Sequence, residues 1–517
     1  MSQTEPSSVT EAALKPIEHA PPATSSKGAM MVLLAAFLGW MFDGLEMGIY
    51  PQVARPSLRD LLPGAAEGDI GFWHNVVDAL FLSGAALGGL VFGYLGDKIG
   101  RVRAMSLSIL VYSLFTGFCY FAQAPWQMGA LRFIAAIGMG GEWSLGVALV
   151  MEVWPAKHRP LLAGVIGAAS NVGFLLISFI CFVFPVSENN WRFIMLAGAA
   201  PALLTFFVRL FVPESEKWQE SQKHGPTAPL KEAFTGKTAR SMWLAIVFAS
   251  VALLGTWGAV QKIPAWVDNL PAEHSVRIGV EGKADASGLL VTKVSPKSLA
   301  ESAGITAGTI VQSVEGQAIK TEMAIYEAIQ AKQKKLGDTI TAQVSQDGIV
   351  RTVSLTIDKW SSNPRAKAVC GMLMAVGAII GCLIAPLIGA KLGRRPAYFL
   401  LCLASLVVCA FMFRAFDRYD GAFMAMAFLA GGTSAAFYGW LPLYLPELFP
   451  TRVRATAQGI AFNFGRIFAA AGALMGGQLM LLWGDYAKMG AAISLIYVVG
   501  MVVIWFAPET RGKPLPE

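Results

Sequence analysis

Asp43, Glu46, Arg132, Glu142 and Arg466 stand inside long apolar runs. If those runs cross a bilayer, each ionisable group costs about 2.5–3.5 kcal/mol at the centre of an isolated helix, so each needs a use or a partner. Asp43 and Arg132 lie in runs of opposite direction, at depths differing by roughly four residues, about 6 Å at about 1.5 Å per residue, which an arginine bridges. Dehydration favours a protonated carboxyl and a nearby guanidinium favours the anion, so relative movement of the two would load and unload a proton. A permanent structural ion pair is the competing reading. Glu46, on the same helical face as Asp43, either shares that proton or faces outer water. Glu142 is expected to pair locally with backbone or another run. Arg466 presents a planar fork of donors that suits a carboxylate ligand, or else tethers two helices. Asn171, Gln261 and Asn463 can add hydrogen bonds, and Trp257, Tyr438 and Trp440 apolar walls. Taken singly, each is as readily packing as ligand. Lys262, near the end of its run, is expected to snorkel.

The elements that must position these groups are apolar helices. Of 517 residues 55% are apolar and 15% charged, and the mean hydropathy is +0.53, outside the range of soluble globular chains. Twelve runs of membrane-spanning length can be traced, at about 29–54, 75–96, 103–123, 126–152, 160–185, 191–212, 241–267, 364–388, 396–416, 421–446, 453–482 and 485–507. The net charge of +7 does not point to nucleic acid, because Lys and Arg gather in alternate short loops, such as Lys98/Arg101/Arg103 and Lys391/Arg394/Arg395. That bias holds those loops and both termini in the cytoplasm. The six cysteines lie in apolar runs without ligand or disulfide spacing. The five histidines are scattered and none begins a His-Glu-x-x-His pattern, so no metal, cofactor or enzymatic site is expected. Residues 1–28 are polar and read as a disordered cytoplasmic tail.

The runs repeat. Gly93-Tyr94-Leu95-Gly96-Asp97-Lys98-Ile99-Gly100-Arg101 returns in weaker form as Gly389-Ala390-Lys391-Leu392-Gly393-Arg394-Arg395. Glu152, Pro155, Arg159 and Gly164 return as Glu447, Pro450, Arg454 and Gly459, and Pro213-Glu214-Ser215 as Pro508-Glu509-Thr510. This is a six-plus-six duplication. It gives an N-terminal bundle at 29–212, a cytoplasmic linker at 213–240, helix 7 at 241–267, helices 8–12 at 364–507 and a cytoplasmic tail at 508–517. Gly93 permits close helix approach, and Asp97 suits the positive N-terminus of a facing helix such as the eleventh. Arg101, Glu152, Arg159, Arg394, Glu447 and Arg454 are expected to act in gating, with Glu152/Arg159 and Glu447/Arg454 forming a cytoplasmic charge network only while the inner side is closed. Ala390 replaces Asp97 in the second copy, so the halves should not latch equally. Residues 273–358 alternate instead, with strands expected at 276–280, 288–294, 309–314, 339–344 and 350–357, a helix at 323–334 and a hairpin at Gln346-Asp347-Gly348. They read as an inserted α+β domain on the outer side.

The repeated loops, the Glu-Pro-Arg-Gly series and the Pro-Glu-Ser/Pro-Glu-Thr endings resemble the major facilitator superfamily over most of residues 29–267 and 364–512. Gly140-Gly141-Glu142-Trp143 and Asn463-Phe464-Gly465-Arg466 are similar to proton-coupled carboxylate and metabolite symporters, the sialate, lactate and aromatic-acid types. Asp43-Gly44-Leu45-Glu46 resembles the Asp-Gly-x-Asp signature of aromatic-acid symporters, with Glu at the last position. The insert resembles a bacterial PDZ domain, with Ile278-Gly279-Val280 as its carboxylate-binding loop. The resemblance implies an all-α membrane protein of twelve helices in two pseudo-symmetric six-helix bundles, with an inserted PDZ-like domain. It further implies a monomeric, proton-coupled symporter of a small organic anion in a bacterial inner membrane, with the PDZ-like domain periplasmic and offering its groove to a peptide or periplasmic protein. A sugar or polyol symporter, and a solute sensor signalling through the insert, are the alternatives.

Overall fold

The computed structural model describes residues 26–65, 67–184, 186–223, 229–267, 278–294, 298–332, 337–346, 348–357, 366–416, 419–474 and 486–516. The expectations for residues 1–25, 276–277, Asp347 and 475–482 lie outside these. The N-terminal half is built from α1 (Ser26–Leu61), α2 (Glu67–Ile99), α3 (Arg101–Phe118), α4 (Pro125–Gly140), α5 (Glu142–Val153), α6 (Arg159–Val183), α7 (Trp191–Ala197) and α8 (Ala202–Phe211). Short α9 (Glu216–Gln222) and α10 (Pro229–Ala233) lead to α11 (Gly236–Leu253), a π-helical turn over Leu254–Ala259, and α12 (Ile263–Val267).

A sheet region follows. β1 (Val280–Asp285), β2 (Gly288–Val294), β3 (Ile310–Val314), β5 (Thr339–Gln346) and β6 (Ile349–Thr356) form one antiparallel sheet in that order, with β4 (Gln317–Ala318) paired to β3. With α13 (Leu299–Ser302) and α14 (Glu322–Ala331) it encloses its own apolar core around Leu289, Val311, Ile325 and Ile340. Of the described residues in the first expected strand, Ile278 and Gly279 lie outside β1 and Val280 begins it. Gly279 turns at φ 82° and the extended chain begins only at Val280, running on through the polar Lys283-Ala284-Asp285 to pair with β2.

The C-terminal half resumes with α15 (Ala366–Leu392), α16 (Arg394–Ala415), α17 (Gly421–Ala435), α18 (Phe437–Tyr444) and α19 (Arg454–Leu474), and closes with helices Tyr486–Ile493 and Ile496–Val503. Among the described residues, 10 helical stretches are long and apolar enough to cross a membrane. The expected sixth run is not one of them, because Gly198 and Pro201 flank a turn that divides it into α7 and α8. The eleventh is described only as far as Leu474, and that part, α19, carries Gln458, Asn463 and Arg466 as well as Arg454 and is not among the 10.

Two seams join the halves, α2 along α19 and α6 along α15. At the first seam the backbones touch. A Cβ on Gly459 would lie 2.2 Å from the Gly89 carbonyl oxygen, so neither position admits a side chain without displacement. At both loop copies a glycine in the left-handed region, Gly100 at φ 107° and Gly393 at φ 104°, stops one helix so that the next can start.

Candidate functional site

Where the halves meet, α1, α5, α18 and α19 bring together residues far apart in sequence. Phe462 is the centre. Trp143 stacks on it at 4.0 Å and 13°, while Trp40 and Tyr438 meet it edge-on at 6.1 and 6.0 Å. One turn along α19, the Arg466 guanidinium lies 5.6 Å from the same ring and donates to Asn463 Oδ1. Asn463 in turn donates to the Gly140 carbonyl at 2.8 Å, an acceptor exposed where α4 breaks before α5. Arg466 is 3% exposed, and no carboxylate among the described residues comes within ion-pair distance of it. Its electrostatic neighbours are Tyr438 and Asp43.

Asp43 is fully buried and neither of its oxygens has a hydrogen-bond partner. The charges around it are Glu142, Glu46 and Arg466. The expected partnership with Arg132 is replaced by another. Arg132 donates to Glu46 Oε1 at 3.0 Å, Thr116 donates to the same oxygen at 3.2 Å, and the guanidinium is held between the Tyr50 and Phe81 rings at 4.6 and 4.4 Å. Glu46 lies almost a turn farther along α1 than Asp43, and it is there that Arg132, midway along α4, meets α1.

Other expected ligands separate into central and peripheral. Tyr438 and Asn463 face the centre. Trp257 lies on the π-helical turn and meets Phe174 of α6 at 6.3 Å, so it too belongs to the interface. Gln261 is half-buried one turn farther along. Asn171 spends its amide on Gly167 O, at 3.4 Å, and on Cys382 Sγ, at 3.7 Å. Trp440 is buried against Tyr398 and Tyr444, at 4.6 and 4.7 Å, inside the C-terminal half. It points away from the centre because α18 turns it to the opposite face from Tyr438. Phe462, Trp40 and the π-helical turn escape a reading of sequence alone, since an aromatic in an apolar run has no mark of function. The one signal is that Phe462 stands four residues from Arg466.

At the basic end of the molecule a second cluster crosses between halves. Asp97 accepts from Ala455 N at 3.3 Å and Thr456 N at 2.7 Å, capping the start of α19. Arg101 bonds Asp97 at 2.8 Å and Glu152 at 3.2 Å, and donates to the Gly96 and Thr451 carbonyls at 2.7 and 2.9 Å. Glu152 also binds Arg454 at 3.0 Å. Gly93 lets this happen, as a Cβ there would come 2.9 Å from Ala455 O. The second loop copy is wired within one half. Arg394 meets Glu447 at 2.7 Å and the Gly389 carbonyl at 2.8 Å, while Thr510 donates to Glu447 at 2.6 Å. Of the four residues expected in one charge network, Glu152 and Arg454 meet across the seam and Glu447 bonds Arg394, while Arg159 makes no ion pair with a described residue. Arg454 is nearer the seam and captures Glu152 from across it.

In the sheet region, Ile278, Gly279 and Val280 lead into β1, an edge strand. Ile278 O accepts from Ala300 N at 2.8 Å. Glu322, at the start of α14, accepts from Gly282 N at 2.8 Å, and Arg59 at the end of α1 reaches Glu281 at 3.5 Å. Among the described residues no group of His, Cys, Asp and Glu is placed to hold a metal ion.

Residues 28–279 match the Major Facilitator Superfamily. The chain is 25% identical over 483 residues, covering 92% of itself and 90% of its relative, to a probable 4-methylmuconolactone transporter of Cupriavidus pinatubonensis. It is 22% identical over 497 residues, 94% of itself and 95% of its relative, to a cis,cis-muconate transport protein of Acinetobacter baylyi. Among solved structures the proton:xylose symporter XylE shares the fold at a TM-score of 0.64 and 14% identity, over 95% of this chain and 98% of that one. An apolar helical chain with two seamed halves, this protein resembles the Major Facilitator Superfamily in the matched segment and in its fold, and is similar over most of its length to these transport proteins.

Proposed function

We propose that the protein is a proton-coupled symporter that carries a small organic anion across a bacterial inner membrane by alternating access. The observation that carries this reading is Arg466: a guanidinium buried between the halves, beside aromatic rings, with no counter-ion at contact distance among the described residues. A buried cation without a partner is costly, and a solute carboxylate supplies the partner. The names of the muconate and 4-methylmuconolactone relatives agree with such a cargo. When solute neutralises Arg466, Asp43 loses its nearest cation and accepts a proton, which ties the two movements. Arg132 and Glu46, almost one turn outward, are the proton's next station. Asn463, Tyr438, Trp257 and Gln261 shape the solute's surroundings, with Asn171 and Trp440 behind them.

The charge bias supports a twelve-helix arrangement with cytoplasmic termini and the basic end inward. In that frame Gly93, Asp97, Arg101, Glu152 and Arg454 latch the inner side in this conformation, Arg394 and Glu447 stiffen the second half, and Arg159 is held in reserve. Asp43 is sealed here, so transport requires another conformation that opens it to water. The sheet region we take as a periplasmic PDZ-like domain, its β1 edge beside Ile278–Val280 open to strand addition by a peptide.

Proteoliposomes with an imposed pH gradient test the reading, using cis,cis-muconate, other carboxylates and uncharged sugars as solutes. Asp43→Asn abolishes uphill uptake but leaves solute exchange, and Arg466→Ala weakens carboxylates most. Unchanged accumulation in Asp43→Asn, or an uncharged sugar as the best solute, overturns it.

A further inference from the structure

The sheet region lies in sequence between α12 and α15, both of the C-terminal half, yet its first strand bonds the other half. Arg59, in the last turn of α1, donates to Glu281 of β1 at 3.5 Å. Its neighbour Asp60 accepts instead from Trp191 Nε1 at 3.0 Å and from Arg192, both on α7. The end of α1 is therefore fixed to the sheet by one residue and to the N-terminal half by the next. Two turns earlier, Lys367 at the start of α15 donates to the Pro51 carbonyl at 3.2 Å, a second tie between α1 and the C-terminal half. Pro51 and Pro56 weaken this stretch of α1, because each lacks the N–H that would close a helical turn.

Glu281 stands at a β-bulge in the edge strand, where the register against β2 shifts between Glu281 and Gly282. The Glu281 carbonyl accepts from Thr292 Oγ1 of β2 at 3.1 Å. In a trans peptide the following N–H points the opposite way, so the Gly282 N–H faces the free edge. Glu322 of α14 takes it, at 2.8 Å. A carboxylate oxygen thus fills one of the places that a peptide carbonyl fills in strand addition. Position 282 needs glycine, since a Cβ there would lie 2.6 Å from the Leu290 carbonyl oxygen. Glu281 and Glu322 are electrostatic neighbours, so two acids flank one peptide unit, and Arg59 is bonded to one of them. Farther along the edge, Lys283 and Ala284 are exposed.

We propose, building on the strand-adding reading of the sheet region, that the β1 edge takes an extended peptide carrying a lysine or arginine, and that this peptide unfastens α1 from the sheet. Adding as a strand, the peptide puts its own carbonyl on the Gly282 N–H and its basic side chain between Glu322 and Glu281. Glu281 then has a competing cation, and its bond to Arg59 gives way. That bond is long and both its groups are partly exposed, so it is weak enough for such an exchange. One of the two ties from α1 to the C-terminal half is then lost. The end of α1, still held by Asp60, moves with the N-terminal half, and the outer side opens more readily.

The test uses the full chain in lipid nanodiscs, with fluorescein-labelled peptides of alternating serine and valine that carry either a central lysine or a central glutamate. By fluorescence anisotropy the lysine peptide should bind about tenfold more tightly than the glutamate peptide. Glu322→Ala, which frees the Gly282 N–H and removes one acid, should bind both peptides equally well. Opening is read by double electron–electron resonance between spin labels at the outer ends of α2 and α16. The lysine peptide should lengthen that distance in the wild type and add nothing in Arg59→Ala, which should be lengthened already. The exchanged pair Arg59→Glu with Glu281→Arg should restore the wild-type distance without peptide, which separates a lost bond from a misfolded domain. Equal binding of the two peptides to the wild type, or unchanged distances with the lysine peptide bound, overturns the proposal while strand addition stands. Binding of neither peptide sinks the proposal and the strand-adding reading together.

Discussion

The two loop copies can be laid over one another residue by residue. Arg101 binds Gly96 O and Glu152 and donates its backbone N–H to Glu214, as Arg394 binds Gly389 O and Glu447 and donates its backbone N–H to Glu509. Ser215 and Thr510 donate their hydroxyls to the same acid in each half. What differs is everything that reaches across. The first copy holds the other half through Asp97 on α19, Arg101 on Thr451 and Glu152 on Arg454. The second has Ala390 where Asp97 would be, and the first half's Arg159, the counterpart of Arg454, feels Glu447 without forming an ion pair with a described residue. Duplication preserved the clamp that stiffens each half, whereas the loop bonds that join the two halves run through the first copy. A permanent contact and a switched contact are under different constraints even when built from the same residues.

That comparison is sharpest at the two acids. Glu152→Gln leaves two buried guanidinia facing a neutral amide, and breaking a buried pair costs about 3–5 kcal/mol. Double electron–electron resonance between spin labels on the two halves should then show the basic end opening. Glu447→Gln should lower the unfolding temperature without moving those distances, and equal opening in both variants would dissolve the distinction. A smaller change is expected from Asp97→Asn, which removes the charged cap on α19 at about 0.5–2 kcal/mol. Ala390→Asp is its mirror: by restoring the missing carboxylate it should slow uptake, and no change in rate would argue that the second seam never separates.

The smallest effect is one of pH. Burial pushes Glu214 above the usual glutamate range, the N–H groups of Ser215 and Val102 only partly opposing it. Its contribution is complete at low pH and is lost as pH rises through that elevated value. For Glu509 burial also acts upward, but donors from Arg394, Arg395 and Arg511 outweigh it and hold the carboxyl low. Its contribution is complete at neutral pH and is lost as pH falls through the depressed value. Hydrogen-exchange protection should therefore weaken with rising pH at the Arg101 and Val102 amides and with falling pH at Arg394 and Arg395. One common trend would mean that the caps are not distinct.

The helical character, the repeat and the sheet insert are legible in the sequence because they depend on local pattern. So are Asp43, Glu46, Arg132, Glu142 and Arg466 as residues that demand partners, since a charge in an apolar run is conspicuous without tertiary information. Who partners whom is not legible. Arg132 takes Glu46 in place of Asp43 on a difference of three residues, about 4.5 Å at about 1.5 Å per residue, larger than the reach of an ion pair. Strand β1 was obscured for a related reason: Lys283 and Asp285 look like loop until β2 lies beside them. Trp440 and Tyr438, two residues apart, go one to the core and one to the interface, which composition does not decide.

The chain's last described residues return to the seam. Arg454, already bound to Glu152, gives a second guanidinium nitrogen to the carbonyl of Pro516 at 2.8 Å. A purification handle or fluorescent protein fused behind Pro516 therefore pulls on the same arginine that holds the halves shut, and measured rates will depend on which terminus carries the label.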